Sequence, residues 1–302
     1  MKVFSTFSGI GGFELGIQRA FDNRPNLRNG VEGLQQDSTN ATQSQVRAEC
    51  VGYSEIDKYA IKVYEKQFPG VQNYGDITKI NAEELPDFDC LVGGFPCQAF
   101  SIAGKRKGFE DTRGTLFFDL ARILRAKQPR LFVFENVKGL LSHDGGRTFK
   151  TIIQTIDELG YDCQWQVLNS KDFGVPQNRE RVYIVGHLRG TPRPEVFPIG
   201  KGNEAPAFNS GKRSGLRYGA VSNAIDANYY KGHDGKRQLI DNDVKIRRLT
   251  PIECERLQGF PDNWTAQGID GAISDTQRYK MCGNAVTVNV VQAVMERLFN
   301  HE

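Results

Sequence analysis

The sequence predicts an α/β fold with a mostly parallel, doubly wound sheet and a second, small, loop-rich domain. Three observations support this prediction. Short apolar segments with strand composition alternate with helical patterns as far as residue 188. Such alternation is typical of a parallel sheet with helices on both faces. With 302 residues, 39% hydrophobic and 25% charged, the chain is long enough for one large domain and one small domain.

The predicted elements follow one another in chain order. The first strand, KVFSTF, leads into the glycine-rich turn SGIGGFELG, where a helical pattern begins. Pro129 stops the helix TLFFDLARILRAK, and Gly160 stops the helix RTFKTIIQTIDELG. The other predicted strands are AECVGYSE, DFDCLVGG, RLFVFENV, DCQWQVLN and RVYIVGHL, and DKYAIKVYEKQF is a further helix. Alternation resumes at LTPIECERLQGF and ends with the helix AVTVNVVQAVMERLF.

Two segments interrupt the alternation. Residues 22–49 are polar and nearly free of large apolar side chains, which predicts a long mobile insertion. Residues 187–246 are rich in glycine and hold four of the twelve prolines. Residues 187–250 carry 12 Lys/Arg and 6 Asp/Glu, a local net charge of +6 in a chain of net charge +3. This charge favours contact with a polyanion, although a solvated face explains it equally well.

We therefore expect a large domain at 1–186, a small domain at 187–276 and a C-terminal segment, 277–302, that returns to the large domain. No apolar run approaches the ~20 residues of a membrane helix, and the N-terminus has no long apolar core before Glu14, so it is not a secretory signal. The six cysteines lack C-x-x-C spacing, so we expect no metal site. A chain of this length does not need disulfides, which fits the cytoplasm.

The turn from Gly9 to Gly12 is a candidate nucleotide site at a helix N-terminus. The dinucleotide fingerprint G-x-G-x-x-G fails at Glu14, which argues against a nicotinamide dehydrogenase. Glu55 ends the second strand, where an acidic residue binds ribose hydroxyls, and Asp76 is placed to meet an adenine amino group. Each of these signals is weak when taken alone.

Cys97 differs in position from a structural cysteine. It follows Pro96 in the Gly-flanked loop GGFPCQAFSIAG, beyond the apolar run that contains Cys90. The carboxyl end of a parallel strand is where open sheets place catalytic groups. Cys97 is therefore a candidate catalytic residue.

Two further motifs place charged side chains near strand ends. FVFENV puts Glu135 and Asn136 at the carboxyl end of a strand, and VPQNRERVYIVG puts Arg179 and Arg181 just before one. Their i, i+2 spacing sends both arginine side chains to one face if that strand begins early. Either motif alone is equally consistent with an ordinary strand end or a solvated turn.

Together, these motifs closely resemble the cytosine-C5 DNA methyltransferases of the bacterial or phage type. The family's successive blocks match, in order and over most of the chain, FSGIGGFELG, YSEID, GDIT, GGFPCQAFSIAGKRKGFEDTRGTLFFDLARIL, FENVKGL, VPQNRERVYIVG, RRLTPIECERLQGFP and YKMCGNAVTVNVV. The combination of GFPCQAFS, ENV and QNRERVY is highly specific. The resemblance implies the class I S-adenosylmethionine-dependent methyltransferase fold, S-adenosyl-L-methionine as cofactor and a methylated cytosine as product.

By the same resemblance, the cofactor pocket uses Phe7, Gly9, Ile10, Gly11, Glu55, Ile56, Asp76, Ile77, Leu116, Asn284 and Val286. Two features depart from the family. Ser5 stands where the first strand often carries an acidic residue, which leaves open how the methionine end of the cofactor is held. The insertion at 22–49 stretches the distance between the glycine turn and Glu55.

The resemblance makes Cys97 the nucleophile. A thiolate that adds to C6 of cytosine turns the ring into an enamine, and C5 can then attack a methyl donor. Glu135 would be the acid at N3, and Arg181, with Arg179 beside it, would bind the O2 edge or the target phosphate. Loss of the C5 proton and of Cys97 restores the ring without a metal.

The expected partner is double-stranded DNA, bound by a monomer whose domain at 187–276 recognises the target. Because the target base lies inside a duplex, it must be flipped out. The loop after Cys97, QAFSIAGKRKGFEDTRG, has three glycines as hinges and a basic KRK, which predicts a lid that closes over DNA.

Two alternatives share these motifs. An RNA (tRNA) cytosine-5 methyltransferase would use the same scaffold, but the basic module at 187–246 favours DNA. A DNA-binding protein without catalysis is disfavoured because the four candidate catalytic residues are intact. Ala224-Ile225 stands where the family often has a Thr-Leu-like pair, but it does not reveal the recognised bases. A cognate restriction endonuclease as genetic partner and a solitary or phage-borne role both stay open.

Overall fold

A six-stranded sheet forms the centre of the fold. The computed structural model describes residues 1–24, 48–96, 116–192, 194–200, 222–229, 239–241 and 246–299. The strands up to residue 188 are β1 (Lys2–Thr6), β2 (Glu49–Ser54), β3 (Cys90–Gly94), β4 (Leu131–Val137), β5 (Tyr161–Asn169), the two-residue β6 (Gln177–Asn178) and β7 (Glu180–Leu188). Six of them form one sheet in the order β2-β1-β3-β4-β7-β5.

The sheet is parallel from β2 to β4 and antiparallel at β7 and β5. β1 pairs in parallel with β2 and β3, and β3 with β4, whereas β7 runs antiparallel to both β4 and β5. The predicted α/β fold with a mostly parallel sheet is confirmed.

Helices cover both faces of this sheet. The α-helices in the described part of the chain are α1 (Gly12–Asp22), α2 (Lys58–Gln67), α3 (Leu116–Lys127), α4 (Arg147–Glu158), α5 (Pro251–Leu257), α6 (Asp275–Asn284) and α7 (Val288–Phe299). Side chains alternate along each strand, so Val3 and Val92 pack with α1 and α7, whereas Phe4 and Leu91 pack with α3 and α4. Among the described residues, no helix is long and apolar enough to cross a membrane.

Most predicted element ends agree with the structure to within two residues. Pro129 lies two residues beyond the last residue of α3, as its role as a helix stop requires. Gly160 follows α4 with a φ of 88°, in the left-handed region that favours glycine after a helix. Of the insertion predicted at 22–49, Asp22 belongs to α1 and Glu49 to β2, and residues 25–47 lie outside the described residues.

The sequence did not predict α6. Its buried residues are Met281, Cys282 and Gly283, three consecutive positions near its end. An apolar face repeats every three or four residues along a helix, so this arrangement carries no helical signal.

Short elements follow the large sheet. β8 (Ser222–Asn223) pairs in parallel with β6, β9 (Leu239–Asp241) pairs with β10 (Ile246–Arg248), and β11 (Gln267–Gly268) pairs with β12 (Gly271–Ala272). The indole of Trp264 donates to the carbonyl of Ile10 at 2.9 Å, and the Ile269 N–H donates to the carbonyl of Lys62 at 3.1 Å. The chain after α5 therefore contacts the glycine turn before α1 and the helix α2 directly.

A buried carboxylate joins α5 to α6. Glu255 is fully buried and forms an ion pair with Arg278 at 3.0 Å. Its two oxygens also accept the backbone N–H groups of Asn263 at 2.8 Å and Thr265 at 2.9 Å. A buried charge is tolerated when it is paired and hydrogen-bonded in this way, so the network fixes α5, the turn after it and α6 as one unit.

Candidate active site

The carboxyl ends of the parallel strands meet at one edge of the sheet. Across that edge Thr6 pairs with Ser54 and Gly93, and Gly94 pairs with Glu135. The loops that follow β1, β2, β3 and β4 therefore begin side by side, as the sequence predicted for an open parallel sheet.

The loop after β1 is a tight turn with an unusual backbone. Phe7, Gly9 and Gly11 have φ values of 51°, 55° and 83°, which lie in the left-handed region. A Cβ on Gly11 would lie 2.2 Å from a ring carbon of Phe68, whereas a Cβ on Gly9 would meet nothing within 4 Å. Glycine at position 11 therefore allows α2 to pack closely, and the backbone at Gly9 faces open space.

Glu55 is fixed by backbone donors. One carboxylate oxygen accepts the N–H of Gly9 at 2.8 Å, and the other accepts the N–H groups of Ile56 and Asp57, each at 2.8 Å. The side chain of Ile56 is 72% exposed beside it. The structure thus brings the glycine turn and the end of β2 together, as the sequence analysis expected.

Asp76 caps the short helical turn that follows it. One of its oxygens accepts the Thr78 N–H at 3.0 Å and the Thr78 hydroxyl at 2.8 Å. These bonds from Thr78 hold the pKa of the Asp76 carboxyl below its usual range, so it stays ionised. Its second oxygen lies 3.8 Å from the ammonium of Lys79.

The other predicted cofactor residues differ in exposure. Ile10 and Ile77 are buried, and Leu116 is half-buried at the start of α3. Asn284 is exposed at the end of α6. Val286 packs against the first turn, because a Cβ on Gly12 would lie 2.7 Å from its methyl group. Ser5, the departure from the family pattern, is fully buried in β1.

Glu135 and Arg181 form a pair at the carboxyl end of β4. The Arg181 Nε lies 2.9 Å from a carboxylate oxygen of Glu135, whose side chain is only 10% exposed. A Cβ on Gly94 would lie 3.1 Å from the other oxygen, so the carboxyl packs against the backbone at the end of β3. Burial raises the pKa of Glu135, although Arg181 and then Arg179 oppose the shift. A buried carboxyl with a raised pKa is suited to act as an acid.

Arg179 has different contacts. Its guanidinium donates to the carbonyls of Ile225 at 2.9 Å, Gly283 at 3.2 Å and Ala285 at 2.9 Å. Arg179 is 3% exposed, and burial lowers its pKa to about 10. Both arginines act on the pKa of Glu135, but the ion pair with Glu135 is made by Arg181, and Arg179 is bound to backbone carbonyls.

Asn136 holds the start of the loop that leads to Cys97. Its amide donates to the carbonyl of Phe95 at 2.8 Å, and its own oxygen accepts the Val137 N–H at 2.8 Å. Cys97 and the predicted lid that follows it lie outside the described residues. The structure therefore describes this loop only as far as Pro96, the residue before the candidate nucleophile.

Comparison with known proteins identifies the family. The C-5 cytosine-specific DNA methylase family matches residues 1–205 and 200–300. The chain belongs to this family and is a DNA (cytosine-5-)-methyltransferase.

Curated relatives of this methyltransferase match almost its full length. The type II methyltransferase M1.ScrFI from Lactococcus lactis subsp. cremoris is 40% identical over 98% of this chain and 77% of that protein. M.NlaX from Neisseria lactamica is 39% identical over 98% of this chain and 96% of that protein. M.HhaI from Haemophilus parahaemolyticus is 34% identical over 97% of this chain and 93% of that protein.

Solved structures share the fold of this methyltransferase. A DNMT2 mutant from Spodoptera frugiperda superposes with a TM-score of 0.72 at 20% identity, covering 99% of each chain. Dnmt2 from S. pombe has a TM-score of 0.69 at 18% identity, covering 99% of this chain and 98% of that one. At these identities the likeness shows the architecture alone.

Sequence reasoning missed two residues of this methyltransferase that lie close to the site. Gln177 is fully buried beside Arg179, and Gly283 contacts the backbone of Asp226. Gln177 stands inside the QNRERVY block, but neither its spacing nor its type indicates which backbone groups it would meet. Gly283 carries no signal because its close neighbour is 57 residues earlier in the chain.

Proposed function

We propose that this methyltransferase transfers the methyl group of S-adenosyl-L-methionine to C5 of a cytosine that is flipped out of a specific duplex DNA sequence. The reaction passes through a covalent bond between Cys97 and C6 of the base. The observation that carries the proposal is the Glu135–Arg181 pair at the end of β4, next to the Asn136 side chain that holds the segment leading to Cys97.

The loops after β1 and β2 suit the cofactor. The carboxylate of Glu55 is already oriented by three backbone N–H groups, and the oxygen that accepts only the Gly9 N–H has a lone pair left for a hydroxyl. Exposed Ile56 offers an apolar surface for a flat base beside it. When bound, S-adenosyl-L-methionine supplies an electrophilic methyl group. The residues that would hold it are Phe7, Gly9, Ile10, Gly11, Glu55, Ile56, Asp76, Ile77, Leu116, Asn284 and Val286.

Glu135 and Arg181 would act on the polar edge of the cytosine. Addition of the Cys97 thiolate to C6 moves electron density toward N3 and O2. A protonated Glu135 donates at N3, and Arg181 stabilises the charge at O2. Protonation of Glu135 also neutralises the partner of Arg181, so the guanidinium is then available to the base. The methylated ring loses its C5 proton to solvent water and releases Cys97 as a thiolate, while the N3 proton returns to Glu135, and no metal takes part.

The two arginines would have separate roles. Three bonds to backbone carbonyls hold the guanidinium of Arg179, so contact with the base would require their loss. Arg181 is more exposed and bonds a side chain that changes its charge during the reaction. We therefore assign base contact to Arg181 and positioning to Arg179.

Recognition of DNA would belong to residues 187–276, and the loop after Cys97 would close over the flipped base. The basic excess of 187–250 supports contact with phosphates. The named relatives M1.ScrFI, M.NlaX and M.HhaI are type II methyltransferases. This supports a role in a restriction-modification system with a cognate endonuclease as genetic partner. The proposed active form is a monomer in the cytoplasm.

A mechanism-based trap tests Cys97 directly. Wild-type protein, incubated with S-adenosyl-L-methionine and DNA that carries 5-fluorocytosine at the target, should form a complex that survives denaturing electrophoresis. Fluorine cannot leave as a cation, so the C6 adduct stalls after methylation. Cys97→Gly should bind the DNA but give no shifted band, whereas the control Cys163→Ala should trap like wild type.

Two outcomes would contradict the proposal. A shifted band that persists in Cys97→Gly, or an adduct that maps by peptide analysis to Cys90 or Cys163, would remove Cys97 as the nucleophile. Methyl transfer to tRNA in place of duplex DNA, measured in the same assay, would favour an RNA substrate.

A further inference from the structure

A short segment of the predicted recognition domain is fixed to the active-site motif. Ser222 and Asn223 of β8 pair with Gln177 and Asn178 of β6. Arg181, which pairs with Glu135, lies only four residues after Gln177. The segment that contains Ala224 and Ile225 therefore begins beside β6, the strand that immediately precedes the arginines of the QNRERVY block.

The side chain of Gln177 binds this segment by a hydrogen bond. It is fully buried, and its amide oxygen accepts the N–H of Ile225 at 3.0 Å. Its amide nitrogen donates to the carbonyl of Leu257 in α5 at 2.8 Å. The side chain therefore takes the place of a peptide group between two backbone segments that are distant in sequence.

The same stretch of chain is held from two other sides. Arg179 donates to the carbonyl of Ile225, so both backbone polar groups of Ile225 are bound by the QNRERVY block. A Cβ on Gly283 would lie 2.1 Å from the carbonyl carbon of Asp226, so α6 and this segment touch backbone to backbone. The side chains of Ile225 and Tyr229 are buried in one cluster with Leu257.

We propose that Gln177 is a positioning residue that sets the place of the backbone at 224–226 relative to Arg181 and Glu135. The proposal rests on the proposed assignment of DNA recognition to residues 187–276. The recognised bases and the methylated cytosine belong to one DNA molecule. The distance between the protein segment that contacts those bases and the catalytic side chains must therefore be fixed. A displacement of about 1 Å at such a site can lower a rate by as much as ~100-fold.

The test uses Gln177→Met, which has similar length and volume but makes neither hydrogen bond. We expect kcat/KM for the cognate DNA site to fall by about 10-fold, the loss of two buried hydrogen bonds. KM for DNA should rise and methylation of near-cognate sites, read by sequencing of the methylated DNA, should increase relative to the cognate site. The Kd for S-adenosyl-L-methionine should not change.

Gln258→Met is the matched control. Gln258 is also fully buried, donates to the carbonyl of Cys282 at 2.8 Å and accepts the Thr287 hydroxyl at 2.9 Å, but makes neither bond to residues 222–229. It should lower stability, as Gln177→Met does, without changing site discrimination. If both variants change KM and discrimination equally, Gln177 is only a structural residue and the proposal is wrong.

Gln177→Glu gives a signature that a structural role would not produce. A protonated glutamic acid has the shape of glutamine, since its hydroxyl can donate to the Leu257 carbonyl and its other oxygen can accept from Ile225. The ionised form would face a carbonyl oxygen without a donor. Burial raises the pKa of such a carboxyl, so KM relative to wild type should be normal at low pH and should rise with pH. A ratio that equals that of Gln177→Met at every pH would overturn the proposal.

Two experiments distinguish an error in the role of Gln177 from an error in the assignment of DNA recognition to residues 187–276. If exchange of residues 187–246 for those of a relative leaves the methylated sequence unchanged, the recognition assignment is wrong. If the exchange changes the sequence but Gln177→Met leaves KM and discrimination intact, only the role of Gln177 is wrong.

Discussion

Replacement of Gly283 by alanine tests the contact between α6 and the segment at 222–229. Gly283 has no φ in the left-handed region, so alanine introduces no backbone strain there. Its Cβ would lie 2.1 Å from the carbonyl carbon of Asp226 and 2.3 Å from the nitrogen of Ala227. Because these neighbours are backbone atoms, they cannot move aside by a change of rotamer.

The size of the effect follows from these distances. Ordinary contact of a Cβ begins near 3.4 Å, so one of the two backbones must move by more than an ångström. Overpacking of this kind costs about 1–3 kcal/mol. The higher helix propensity of alanine returns at most ~1 kcal/mol, and less near a helix end. We expect a net loss in the free energy of unfolding of about 1–2 kcal/mol, measured by urea denaturation.

The same displacement should act on DNA more than on the cofactor. We expect kcat/KM for cognate DNA to fall by roughly 10–100-fold, since an ångström of misplacement has effects of this order. The Kd for S-adenosyl-L-methionine should rise by less, because the clash is with the segment at 222–229, although Asn284 of the proposed cofactor pocket follows Gly283. Gly139→Ala is the control, because a Cβ there would meet nothing within 4 Å. If Gly283→Ala and Gly139→Ala behave alike in both assays, the close approach has been misjudged and the argument fails.

Two further predictions concern buried or bound carboxylates. Glu55→Ala removes a carboxylate that the Gly9 N–H orients toward the proposed cofactor pocket. The affinity for S-adenosyl-L-methionine, measured by calorimetry, should fall by about 10-fold or more. An unchanged affinity would refute the pocket assignment. Burial raises the pKa of Glu14, so the native state binds its proton more tightly than the unfolded chain and loses stability as pH rises through that pKa. Glu14→Gln should therefore be stabilising relative to wild type at pH 8 but not at pH 4, by urea denaturation; an equal difference at both would contradict this.

The sequence predicted where the candidate site lies in the fold, because the ends of strands follow local rules. The strand ending at Glu135 could be read from its composition, and parallel strands bring their carboxyl ends to one edge. The antiparallel direction of β7 could also have been inferred. Only ten residues separate β5 from β7, from Ser170 to Arg179, and a parallel crossover needs a dozen or more.

The contacts of Arg179 and Gln177 could not be predicted in the same way. The carbonyls that Arg179 bonds belong to residues 46, 104 and 106 positions later in the chain. Every residue has a carbonyl, so no residue type marks such an acceptor in the sequence. When a buried side chain bonds only backbone groups, the sequence therefore does not indicate its partners. The Glu135–Arg181 pair differs, because both partners are charged residues that can be seen in the sequence.

In the proposed mechanism, the two arginines together explain how the Glu135 carboxyl can both donate a proton and take it back. Burial alone would hold Glu135 in its protonated form, and the carboxyl would then give up its proton only with difficulty. The charges of Arg181 and Arg179 stabilise the ionised form and oppose burial. Arg179 contributes a charge held in place by carbonyls, while Arg181, in the proposed mechanism, would exchange Glu135 for the base. The fixed charge of Arg179 and the exchangeable charge of Arg181 would therefore let Glu135 change between its protonated and its ionised form.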